Sequence, residues 1–101
     1  MANAIIIGLL IGLISGNSIP HFVKGITKEN YPCLFGNSPI PNLFAGWLFL
    51  NITCVLIYFW NYQSFPIVSL IFCSLGLLLI GLFHAGPGAF GKKEKGAEQK
   101  K

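Results

Sequence analysis

Residues 4–24, AIIIGLLIGLISGNSIPHFVK, decide how this chain folds. Gly8, Gly12 and Gly16 recur every four residues with Ala4 one step before them, so on a helix they form a smooth ridge along one face. In hydrocarbon a leucine gains nothing by leaving an acyl chain for another leucine, and helices associate where small residues let their backbones approach. The ridge is therefore a packing surface. Asn17, His21 and Lys24 follow at i, i+4 and i+7 and make a polar stripe about 100° round the same helix.

The rest of the 101-residue chain agrees with a bilayer setting: 53% of it is apolar, 10% is charged, and the mean hydropathy is +0.67. These values lie outside the soluble globular range. There is no Asp or Arg, the only acids are Glu29, Glu94 and Glu98, and every charged side chain falls outside the long apolar runs. Those runs, residues 3–22, 41–60 and 65–83, are each about 20 residues, enough to cross roughly 30 Å of hydrocarbon as a helix. The fold class is thus all-α, a membrane protein of three transmembrane helices within residues 1–91, followed by a basic tail at 92–101 that reads as disordered.

An odd number of spans puts Lys24, Lys28, Lys92, Lys93, Lys95, Lys100 and Lys101 on one side of the bilayer and no lysine on the other. Lysine excess marks the cytoplasmic face, which predicts the N-terminus outside and the C-terminus inside. The first run lacks the basic start and the A-x-A-like site of a signal peptide, and it is read as a retained span. The lysine tail suits anionic lipid headgroups rather than nucleic acid. Cys33, Cys54 and Cys73 have no metal spacing and read as reduced thiols.

Pro20 denies the Gly16 carbonyl its usual donor, so the first helix is expected to bend between them. Residues 25–40 contain prolines and glycines among Tyr31, Leu34, Phe35 and Ile40, a composition that suits a loop folded back on the headgroups or on the inner helix ends. Only Asn61, Tyr62, Gln63 and Ser64 separate the second and third spans, which predicts a tight antiparallel hairpin. A symmetric turn would set Gly46 opposite Gly81, Asn51 opposite Gly76 and Cys54 opposite Cys73. Tyr58, Trp60 and Tyr62 would form the outer aromatic belt, with Trp47 near the inner one. Gly8, Gly12, Gly16, Gly46, Gly76 and Gly81 are the helix-packing candidates.

Asn17, His21 and Lys24 are the polar constellation best suited to a site, either for a small anion or headgroup or as a proton-sensitive element. The alternative is a helix end at the interface, where Lys24 snorkels. His21, His84 and Cys33 share the inner side without the spacing of a zinc motif, so no metal and no cofactor is assigned. Asn51 near the middle of the second span must hydrogen-bond to a backbone or to another helix. No span carries a carboxylate to titrate or to orient a histidine, which argues against an enzyme and leaves no catalytic residue to name.

His21-Phe22-Val23-Lys24-Gly25-Ile26, then Tyr31-Pro32, Phe35-Gly36, Ser38-Pro39 and Asn42, resembles a family of small, uncharacterised bacterial integral membrane proteins. The likeness runs from Gly16 to Asn51. In that family the second span opens with Asn, a Trp-Gly pair and a further Asn; here Asn42, Gly46-Trp47 and Asn51 are the counterpart, with the pair reversed. The resemblance implies a bacterial inner membrane and no particular activity. Function is expected to come from helix packing, as a homo-oligomer or as an accessory or regulatory subunit of another membrane protein. A holin-like pore-former and a small carrier acting as a dimer are the alternatives.

Overall fold

A computed structural model describes residues 1–86 as three helices, α1 (Ala2–Ile26), α2 (Pro39–Phe59) and α3 (Pro66–Ala85). All three are long and apolar enough to cross a membrane. The tail at 92–101 lies outside the described residues. Pro39 and Pro66 open α2 and α3 at positions where a helix has no use for the missing N–H. Pro20 sits inside α1, and the nearby Ser18 hydroxyl donates to the Ser15 carbonyl at 2.7 Å, not to Gly16.

The helices are not arranged as the short connector suggests. The backbones of α2 and α3 do not approach each other; each packs on α1, which runs between them, antiparallel to α2 and parallel to α3. The expected pairings of Gly46 with Gly81, Asn51 with Gly76 and Cys54 with Cys73 are therefore corrected. Trp60 to Phe65 give the corner enough length to splay the two helices around a third. Small residues on both helices then turn toward α1 instead of toward each other.

Backbone contact is closest between α1 and α3. A Cβ added at Gly12 would overlap the Cys73 carbonyl oxygen and stand 2.9 Å from the Gly76 Cα. One added at Gly76 would stand 2.5 Å from the Leu9 carbonyl oxygen. Gly16 admits Ile80 and Leu77, and Gly8 admits the Trp60 ring beside the Ser69 backbone. On the other flank, Gly46 faces Phe22 and Gly25 faces Leu43, each with less than 3 Å for a Cβ (2.6 and 2.7 Å). Among the described residues, nothing lies within 4 Å of a Cβ added at Gly81, which takes no part in the packing of α1 with α2 and α3.

The open end of α1 is fastened to the corner after α2. Asn3 donates to the Phe59 carbonyl at 3.1 Å and accepts from the Asn61 N–H at 2.7 Å, while the Trp60 indole donates to the Ala4 carbonyl at 3.2 Å. Trp60 is thus half-buried against α1, while Tyr58, Phe59 and Tyr62 remain exposed at this end, Tyr58 most of all with 82% of its surface free. One buried polar atom among the described residues, Ser69 Oγ, has no hydrogen-bond partner.

Two outcomes follow from this packing. Gly12→Ala should lower the melting temperature in detergent, at a cost of roughly 1–3 kcal/mol from overpacking, while Gly81→Ala leaves it unchanged or raises it. Equal effects at both positions would contradict the central role of α1. Ser69→Ala should stabilise by about 1 kcal/mol in the same melts, because it removes an unpaired buried hydroxyl and keeps the side chain small.

Candidate functional site

The polar groups gather at the end where α1 stops, α2 begins and α3 ends. α1 ends in a left-handed turn: Lys28 has φ 62°, its N–H reaches the Gly25 carbonyl at 3.2 Å, and the Glu29 N–H reaches the Lys24 carbonyl at 2.9 Å. This is the Schellman pattern, which brings the third-last helical residue against the second residue beyond the cap. Those residues are Lys24 and Glu29, and they form an exposed ion pair at 2.6 Å. The cap therefore draws Lys24 away from His21.

Residues 27–38 then fold on themselves. The Tyr31 N–H donates to the Asn37 carbonyl at 2.9 Å, and the Cys33 N–H donates to the Asn37 side-chain oxygen at 3.1 Å. Gly36 closes the turn at φ 131°, a conformation that favours glycine, with the Pro41 ring 3.2 Å from where a Cβ would stand. Leu34 projects outward, 88% exposed, whereas Tyr31 is buried. Tyr31 and Pro32 are the buried apolar residues of the loop, while Leu34 and Phe35 are exposed.

Asn42 holds the loop to the helices. It is fully buried at 0% exposure, and the two N–H groups of its Nδ2 are shared among the carbonyls of Tyr31 at 2.8 Å, Ser38 at 3.0 Å and Asn37 at 3.1 Å. Carbonyl oxygens only accept, so the amide nitrogen must face them and Oδ1 must face His21, 2.6 Å from Nδ1. His21 accordingly carries a proton on Nδ1. By the same argument His84 donates from Nδ1 to the Ile80 carbonyl at 2.9 Å.

The two histidines flank Tyr31. Its ring meets His21 edge-on with centroids 5.2 Å apart and stacks on His84 at 6.1 Å with an interplanar angle of 7°. The His21 and His84 rings are 6.3 Å apart. Burial pushes the Tyr31 phenol above its ordinary value, so it stays neutral and packs as an aromatic.

Beside this node lies a pocket of about 90 Å³ walled by Asn17, His21, Cys33, Leu34, Phe35, Ala45 and Phe49. His21 Nδ1 is taken by Asn42, so the polar atom His21 can offer a ligand is its other ring nitrogen. The Asn17–His21–Lys24 stripe is thus only partly assembled: Asn17 and His21 share the pocket wall and Lys24 does not line it. His21 is close to His84 and shares the pocket with Cys33, yet no group of three or more metal-ligating side chains occurs among the described residues.

The chain matches no protein-family model, no curated protein and no solved structure. The site is therefore read from its geometry. Asn42, Tyr31 and His84 make the structural node, and sequence reasoning gave the first two no site role. An asparagine three residues after Pro39, at the start of an apolar run, was the available signal for Asn42.

Asn42→Leu should keep the volume but orphan His21 Nδ1 and the loop carbonyls. The expected cost is about 3 kcal/mol, the upper part of the range for buried unpaired groups, together with faster thiol labelling of Cys33 as the loop loosens. Unchanged labelling and melting would contradict the clamp.

Proposed function

We propose that this chain is a non-enzymatic integral membrane protein of the bacterial cytoplasmic membrane that acts by helix packing, first as a homo-oligomer and otherwise as an accessory subunit of a larger membrane complex. The observation that carries this reading is the direction of the packing. The small-residue contacts of Gly46 and Gly76 turn inward onto α1 and leave Phe44, Trp47, Val55 and Tyr58 on α2, and Leu70 and Leu78 on α3, exposed. Those outer faces are what another helix would meet. The glycine ridge of α1, spent on α3, would not serve as the oligomer contact.

The proposed orientation has the N-terminus outside and the C-terminus in the cytosol. It is supported by the shared end of the 27–38 loop, which carries Lys28, and of α3, which leads into the lysine-rich tail. The resemblance of the His21 to Asn42 region to small bacterial membrane proteins supports the compartment. A non-enzymatic role is supported by the site itself, where the imidazoles are held by an amide and a carbonyl rather than by a carboxylate.

In mild detergent, light scattering should give more than one copy per particle, or one copy with a stoichiometric membrane partner. A lone monomer at every concentration would overturn the reading, and so would abrupt loss of membrane potential on overexpression, which belongs to a holin-like pore.

A further inference from the structure

The part of α2 that faces away from α1 carries a polar group that its own chain leaves half satisfied. Asn51 is exposed, and its Nδ2 donates to the Trp47 carbonyl one turn earlier at 2.9 Å. Its second N–H and its Oδ1 have no partner among the described residues. Asn51 stands near the middle of a helix long and apolar enough to cross a bilayer, so water cannot supply what is missing. At about 100° per residue, Phe44, Trp47, Val55 and Tyr58 lie within about 40° of Asn51, and the buried Asn42, Gly46 and Thr53 lie on the opposite side. The four apolar residues are all exposed.

The geometry points to a two-fold dimer in which this face of α2 packs on the same face of a second copy, with the Asn51 amides paired. The argument for a second copy is complementarity. A free N–H and a free C=O on one carboxamide are what an identical carboxamide needs, and their exchange makes two reciprocal hydrogen bonds. Copies inserted in the same orientation also bring Asn51 to the same depth without further design. Phe44, Trp47, Val55 and Tyr58 supply the packing one and two turns to either side, in the manner of a parallel seam. Cys54 is exposed, one turn along and about 60° from Asn51, close enough to the seam to report on it.

This dimer deepens the homo-oligomer reading above and rests on it. The test uses the full chain with Cys33→Ser and Cys73→Ser in liposomes, so that Cys54 is the remaining thiol, under mild oxidation. A disulfide-linked dimer is expected. With Cys54→Ser and Ile57→Cys instead, the thiol sits about 120° from Asn51 and should not cross-link. Asn51→Leu should weaken self-association, read by energy transfer on lipid dilution, roughly three- to twenty-fold, and Asn51→Gln, which keeps the amide, should retain most of it.

Cross-linking as strong at 57 as at 54, or self-association indifferent to Asn51→Leu, would overturn this face and leave the homo-oligomer reading standing. A monomer at every lipid dilution would overturn both. Cross-linking of Cys54 to a chain of a different mass in native membranes, with no self-cross-link, would assign the face to another membrane protein.

Discussion

The approach of two backbones at Gly12 and Gly76 is the constraint from which the rest of this architecture follows. With no side chain on either residue, α1 and α3 come close enough for the Gly76 Cα to occupy the space a Cβ on Gly12 would need. Dispersion between backbones then does in lipid what the hydrophobic effect does in water. Because α1 is fixed against α3 on one side and against α2 through Gly46 on the other, the two later helices are kept apart. Their outer surfaces are left to the surroundings.

The same arrangement creates the polar node. The register of parallel α1 and α3 sets the end of α3 beside His21, about one turn before α1 stops, which brings His21 and His84 within ring-contact range, and the start of antiparallel α2 delivers Asn42 beside them. Asn42 then binds the loop that the chain must make to reach α2. The loop is held by its own turn around Asn37 and tied to the helices by the buried Asn42 side chain, and the Tyr31 ring packs against both imidazoles.

Much of this was legible in the sequence, and the misses have physical causes. The apolar runs gave three helices to within a few residues, with α1 carried on to Ile26 because hydrogen bonding continues past the point where hydropathy falls. The close-packed glycines of α1, with Gly46 and Gly76, were legible as small residues on apolar helices. Their partners were not, since a glycine shows that something comes near without saying what. Gly81 looks the same in sequence and faces no other described residue within 4 Å. Lys24 falls on the His21 stripe by helical spacing, yet the left-handed cap at Lys28, formed without a glycine, brings it to Glu29. Asn42 was visible as a polar residue near the start of an apolar run, but the carbonyls it gathers come from positions that only the folded loop brings together.

The hydrogen bonds that tie Asn3 and Ala4 to residues 59–61 also bear on how the molecule is made. Of the three helices, α1 is synthesised before the two that pack on it, and its own fastening point is not made until α2 is finished. Until α3 is made, the glycine groove of α1 lacks the partner that fills it in the finished fold. Assembly of the three helices is completed when α3 settles against α1.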